Sequence, residues 1–247
     1  MSGAPPEGWV LLQAGERRAV ALARHEADAR AMLAEGTFYD AAARVPDARP
    51  LQGRGIAYAV ALPESGVRAV VRHNRHGGLL APLTGDLFLP PTRAPRELET
   101  ARRLAELGVA TPEVLMYGVS PALAFFRRAD VVTREIEGGR DLSELLAGDA
   151  SEAERHTAWE ATRALLRAML SAGVRHHDLN VKNVLIAPAQ NGVCAYLLDV
   201  DRVTSATPGA DAVRTGNLER LRRSARKWRD QRGARVDEGE LAELAAA

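Results

Sequence analysis

Apolar positions dominate residues 55–62, Gly-Ile-Ala-Tyr-Ala-Val-Ala-Leu, and return in Val67-Arg-Ala-Val-Val-Arg72 after the turn Pro63-Glu-Ser-Gly66. Two β-rich runs around a Pro/Gly turn predict a hairpin. Before it, residues 15–35 carry Ala, Leu, Arg and Glu at helical spacing, and Pro46 and Pro50 close a section that reads as a helical preface. After it, Ala94 to Leu107 places apolar residues at 98, 101 and 104, with a proline near its start and Gly108 past its end, the marks of an amphipathic helix. A further β-rich stretch follows Thr111-Pro112 and ends in Val131 to Gly139. Asp141 and Ser151 each open a helix, and Ser151 with Glu154 has capping-box spacing. Over 152–171, Trp159, Thr162, Leu166, Met169 and Leu170 share one side and predict a buried face. Val184-Leu-Ile and Tyr196-Leu-Leu read as short strands, and Asn217 to Trp228 as a helix. The predicted fold is therefore α+β in two lobes, a β-rich one over 1–134 and a mainly helical one over 135–247.

The 247 residues suffice for a substantial core. With 33 basic against 32 acidic residues, no global field points to nucleic acid as a partner. The single cysteine, Cys194, excludes an internal disulfide and a cysteine-rich zinc module, and reads as a small strand residue in a reducing compartment. No run of about 18 apolar residues suggests a membrane span, and Met1-Ser-Gly-Ala-Pro-Pro-Glu lacks the basic start and apolar centre of a secretory signal. No feature marks an obligate protein partner.

The chemistry concentrates in Gly173-Val-Arg-His-His-Asp-Leu-Asn-Val-Lys-Asn-Val-Leu-Ile186. His176, Asp178 and Asn183 stand at the spacing of a kinase catalytic loop, in which an aspartate orients the acceptor hydroxyl and takes its proton. The asparagine five residues later would ligate Mg2+, and Asp199, closing the second short strand, sits where the metal-binding aspartate belongs. Taken singly, His-x-Asp is equally a turn aspartate beside a packed imidazole; the ordered combination favours phosphoryl transfer from ATP. His176 reads as a backbone brace rather than an acid or base, and Asp201 as an assistant or a turn cap. Gly53 and Gly55, at the entry to the first hairpin strand, would let backbone close over phosphates, or simply serve a tight turn. Arg72 stands where a kinase places its phosphate-gripping lysine, and Glu97 could hold it as the kinase ion pair does. The alternative is a solvated strand edge of Arg68, Arg72 and Arg75 with His73 and His76. Glu99 and Glu106 are read as solvated. The β-rich segment ending in Val131 to Gly139, with its glycine-containing link, suits a hinge between lobes.

Several further elements line up in order with Gly53-Arg-Gly55 and Tyr58: Arg72-His73 through Arg75-x-Gly77-Gly78, Thr92-Arg93 before Glu97, and His176-x-Asp178-Leu-Asn180-x-x-Asn183. Asp199-Val-Asp201 and Asn217-Leu-x-Arg220-Leu-x-Arg223-Ser224 complete the set. Together they resemble the 3-deoxy-D-manno-octulosonic acid (Kdo) kinases, a lipopolysaccharide branch of the protein-kinase-like fold, from about residue 50 to 228. The resemblance implies ATP-dependent phosphorylation of a Kdo hydroxyl, usually at the 4-position, on a lipid A precursor at the cytoplasmic face of the inner membrane. It departs from the family at Val200, where an aromatic is common. Two alternatives stay open: a kinase acting on core heptose or a protein hydroxyl, and a non-catalytic pseudokinase. The basic helix 217–228 reads either as a docked helix with a solvated face or as a contact for anionic lipid or an anionic substrate.

Overall fold

The computed structural model describes residues 5–52, 55–74, 85–190 and 192–244. The chain divides into two compact units, Met1–Glu99 with Glu113–Glu135, and Thr100–Pro112 with Ile136–Ala247.

The first unit is built on an antiparallel seven-stranded sheet. Its strands are β1 (Trp9–Ala14), β2 (Arg17–Leu22), β3 (Arg49–Gln52), β4 (Ile56–Ala61), β5 (Arg68–His73), β6 (Val114–Pro121) and β7 (Arg127–Arg134), in the spatial order β1-β2-β6-β7-β5-β4-β3. The predicted hairpin is β4–β5, with Val60 opposite Ala69. The predicted helical preface is corrected: residues 17–22 form a strand paired on both sides, and the helix α1 begins only at Glu26, running to Glu35. A short α2 (Phe38–Arg44) follows, opened by Thr37, whose hydroxyl accepts from the Asp40 amide. Ala19, Ala21, Ala69, Val71 and Val132 of the sheet pack with Met32, Leu33 and Phe38 of the helices into one apolar cluster.

A buried carboxylate fixes this packing at the hairpin. Asp28 of α1 accepts from the Glu64 and Ser65 amides, both at 2.9 Å, and from His25 Nδ1 at 2.9 Å. Burial works against its charge, but the hydrogen bonds from His25, Ser65 and Glu64 outweigh that and hold its pKa below the usual carboxylate value. The turn that Asp28 grips is closed by Gly66 in the left-handed region, φ +67°.

The amphipathic helix α3 (Ala94–Glu106) has Leu98, Ala101 and Leu104 buried, as its spacing predicts, while Glu99 and Glu106 are exposed. In the second unit, Asp141 caps α4 (Leu142–Ala147), and the capping box of Ser151 and Glu154 opens α5 (Glu152–Ser171). Trp159, Thr162, Leu166 and Met169 of α5 are buried; Leu170 is partly so. Between them, β8 (Arg140–Asp141) joins β10 (Val184–Ala189) and β11 (Gly192–Leu197) in a three-stranded sheet, and β9 (Val174–His176) pairs with β12 (Val203–Ser205). A long helix, α6 (Asp211–Arg232), and a short one, α7 (Glu238–Glu243), complete the unit. Helix α6 starts six residues before the Asn217 expected from sequence. The glycine at 216 lies inside it, where a Cβ would stand 2.7 Å from the guanidinium carbon of Arg175, the end of a flexible side chain that can shift.

Candidate active site

In the second unit the chain that carries the kinase-like motif is held from several sides. Strand β9 delivers His176, which is fully buried. Its backbone N–H donates to Asn217 Oδ1 of α6 at 2.9 Å, and Asn217 Nδ2 donates to Val174 O at 2.8 Å. The imidazole then ties two distant stretches together. Its Nδ1 accepts from the Asp178 amide at 3.0 Å, and its Nε2 lies 3.1 Å from Asp199 O and 3.2 Å from Leu198 O. Facing carbonyl oxygens, Nε2 must carry the hydrogen, so Nδ1 is the acceptor. Burial pushes the His176 pKa below the usual histidine value, against the opposing pull of the Leu198 carbonyl and the nearby Asp199 and Asp178. A neutral imidazole that both donates and accepts is what this geometry needs.

The loop closes on itself as well. Asn180 Nδ2 and Asn183 Nδ2 both donate to Asp178 O at 2.8 Å, and Asn183 N donates to Asn180 O at 2.9 Å. Leu198 N donates to Asn183 O at 2.9 Å, continuing the register in which Val184 faces Leu197. The backbone of Asp199 is thus brought next to that of Asn183, with His176 linking both ends to Asp178. Asp199 has φ +58°, in the left-handed region, which costs an L-residue about 1–2 kcal/mol. Strain of this kind collects at functional sites. Asp201 follows in the one-turn helix Val200–Arg202.

Side chains of β5 in the first unit are sorted by the pleat. Ala69 and Val71 face the apolar cluster, and His73 on the same side stacks on Tyr39 at 3.8 Å and bonds Asp130 at 2.6 Å through Nδ1. Asp130 also accepts from the Tyr39 amide at 2.9 Å. Arg68 and Arg72 face the other way; Arg68 pairs with Glu135 and Arg72 with the buried Glu97 of α3. The solvated strand edge weighed from sequence is therefore not formed: β5 is interior to the sheet, between β4 and β7, and its two described arginines are paired. Arg72 also donates to Asn74 Oδ1 at 3.2 Å. Gly55 stands at the bend before β4, while Gly53, Arg75, His76, Gly77 and Gly78 lie outside the described residues.

Asn217, Asn180 and the His73–Asp130–Tyr39 cluster carry much of this geometry. The sequence names Asn217, Asn180 and His73 as members of the ordered motifs without these roles, and does not single out Asp130 or Tyr39. Asn180 followed from the motif's turn, but the partners of Asn217 and Asp130 lie 41 and 91 residues away, and no local pattern announces such pairs.

The residues fit nucleotide and magnesium. With Asn183 Nδ2 committed to Asp178 O, its amide oxygen is the atom left for a cation. Asp199 adds a carboxylate, giving the hard oxygen donors that magnesium takes alongside phosphate. In the first unit, the buried Asn74 Nδ2 beside Arg72 has no acceptor among the described residues, a donor suited to an anionic oxygen.

Residues 44–239 match the family model described as "Lipopolysaccharide kinase (Kdo/WaaP) family". The chain belongs to that family. Membership makes it an enzyme, a phosphotransferase acting on a hydroxyl group, with ATP as the implied donor, and its fold is the α+β, protein-kinase-like one expected from sequence. Similar proteins include a 3-deoxy-D-manno-octulosonic acid kinase of Stenotrophomonas maltophilia (strain K279a), 34% identical over 81% of this chain and 78% of the relative. The protein of that name from Actinobacillus succinogenes is 31% identical, covering 78% of this chain and 80% of its own length. A solved structure, "WaaP in complex with acyl carrier protein", is 18% identical with a TM-score of 0.49, covering 87% of this chain and 93% of that one. Among the described residues no helix is long and apolar enough to cross a membrane.

Proposed function

We propose that this family member transfers the γ-phosphoryl group of ATP to a Kdo hydroxyl, the 4-hydroxyl, of a Kdo-lipid A precursor during lipopolysaccharide core synthesis, working peripherally at the cytoplasmic face of the inner membrane. The names of the relatives support the sugar. The observation that carries the chemistry is the imidazole of His176, which holds the Asp178 amide and the Asp199 carbonyl at once.

Asp178 orients the sugar hydroxyl and receives its proton as the sugar oxygen bonds to the γ-phosphorus and the bond to the β-phosphate oxygen breaks, releasing ADP. Asn183 Oδ1 and the Asp199 carboxylate hold magnesium, which when bound neutralises charge on the phosphates. Arg72, braced by Glu97, supplies a fixed cation for phosphate oxygens. Little covalent work falls to the protein; positioning and charge carry the rate.

The test is mass analysis of Kdo-lipid A precursor, heptosylated core and protein acceptors after incubation with ATP, with NMR assignment of the modified sugar carbon. Phosphate on Kdo supports the reading. Phosphate only on heptose or protein overturns the acceptor. Asp178→Ala should lower kcat by about 10²–10⁴-fold, the usual contribution of a general base, with the fold intact; retained turnover in that variant overturns the mechanism.

A further inference from the structure

Helix α6 carries eight Arg or Lys residues against three Asp or Glu between positions 211 and 232, in a chain whose net charge is only +1. Arg214 pairs with Asp211 and Arg232 lies over the Trp228 ring, and the other six are divided between two flanks. On one, Arg226 and Arg229 pair with Glu238, and Arg222 donates to Leu241 O and Ala242 O, so the C-terminal segment satisfies them. On the other, Arg220, Arg223 and Lys227 recur at i, i+3 and i+7, and none has an acidic partner among the described residues; Arg223 and Lys227 are exposed. A row of like charges at this spacing works against a helix rather than for it.

That unpaired row is fastened to the catalytic loop. Ser224, beside it on the helix, accepts from Val181 N at 3.2 Å, and the loop's exposed Lys182, also without an acidic partner, lies 5.5 Å from the ring of Trp228. Four cations with no anion among the described residues thus adjoin the loop that carries Asp178. On the reading that the acceptor is a glycolipid, we propose that Lys182, Arg220, Arg223 and Lys227 form a strip that binds phosphate groups borne by the acceptor itself, selecting a phosphorylated lipid over its phosphate-free form. Charge complementarity identifies the occupant, since guanidinium and ammonium groups in series match phosphate oxygens. The position of the strip places the discrimination on the acceptor side of the reaction, independent of ATP.

The experiment compares the full-length protein with the double variant Arg223→Gln/Lys227→Gln and with a control, Arg226→Gln, on the opposite flank. Each is assayed on detergent-dispersed Kdo-lipid A precursor and on the same lipid stripped of its phosphates. Expected is a loss of roughly tenfold or more in kcat/KM when either the phosphates or the two cations are removed, no further loss when both are, and an unchanged KM for ATP. The control variant should match the parent protein. Equal losses by the double variant on both acceptors would overturn the proposal. So would a loss seen only on phosphatidylglycerol vesicles, which would make the strip a membrane contact. Equilibrium binding of the two lipids without ATP reads the strip separately from turnover: a parent protein that prefers the phosphorylated lipid but never phosphorylates Kdo keeps the strip and discards the acceptor reading. Equal binding of the two lipids discards the strip.

Discussion

Replacing His176 with alanine tests whether the imidazole is a brace or a proton carrier. The side chain is fully buried and accepts the Asp178 amide while facing the Leu198 and Asp199 carbonyls. Its loss orphans at least one donor and one acceptor, each costing about 1–3 kcal/mol, and leaves a void; we expect about 3–5 kcal/mol in urea titration. Displacement of the Asp178 carboxylate should cost about 10²-fold in kcat, the scale of a 1 Å misplacement. His176→Gln, which keeps a donor and an acceptor, should recover part of both losses. Because burial lowers the folded pKa below the ordinary 6.5, the unfolded chain binds the proton first as pH falls. The histidine's stabilisation is therefore complete above about pH 6.5 and declines below it, by at most about 1.4 kcal/mol per pH unit, until the folded value is passed. That slope should be missing from the pH–stability curves of both variants. Unchanged kcat in His176→Ala, or a shifted limb of the pH–rate profile in His176→Gln, would refute the brace.

Arg72→Ala removes the cation beside buried Glu97 and should cost about 2–3 kcal/mol on chemical denaturation, with KM for ATP raised more than kcat is lowered. Asp28→Asn should destabilise by about 1–3 kcal/mol by weakening the acceptor of the Glu64 and Ser65 amides. Its folded pKa is lowered, so the stability it contributes is present above the unfolded value of about 3.8 and lost as pH falls through the folded one; the variant's acid-denaturation curve should lack that component. Gly173→Ala should be severely destabilising, by about 3 kcal/mol or more, because the residue is left-handed at φ +66° and its Cβ would stand 2.2 Å from Ala206 O; a thermal melt matching the parent protein would contradict this.

The second unit was more legible than the first, and the contrast has a physical basis. Capping boxes, helix faces and the His176–Asp178–Asn183 turn depend on contacts within a few residues, which leave local patterns. The 17–22 strand left none. Its successive residues Ala19, Val20 and Ala21 are all buried, and a strand buried on both faces loses the alternation that distinguishes it from a helix. Its small alanines, beside Arg and Glu, then favour helix by propensity, and sheet pairing overrides that. Only Gly15, at φ +60° in the turn between β1 and β2, hinted at the hairpin. At the candidate site the motif residues were legible, Asn217 among them, but the contacts that anchor them were not: Asn217 reaches His176 across 41 residues.

Those anchors explain how the site can keep a strained aspartate. Asp178, Asn183 and Asp199 are positioned by backbone bonds: Asp178 N to His176, Asp178 O to two asparagine amides, Asn183 O to Leu198 N, and Asp199 O to His176. The Asp199 carboxylate caps nothing in the turn it opens, so it contributes charge at a left-handed position without stabilising the turn. Asp199→Gly separates these effects. It relieves about 1–2 kcal/mol of left-handed strain and gives back about 0.4–1 kcal/mol through the freer unfolded chain, so stability should hold or rise by up to about 1.6 kcal/mol. Phosphoryl transfer should be lost, with raised magnesium failing to restore it because the ligand itself is gone. A variant destabilised by more than about 2 kcal/mol would mean that the carboxylate holds the turn together, and the strain would then need another origin.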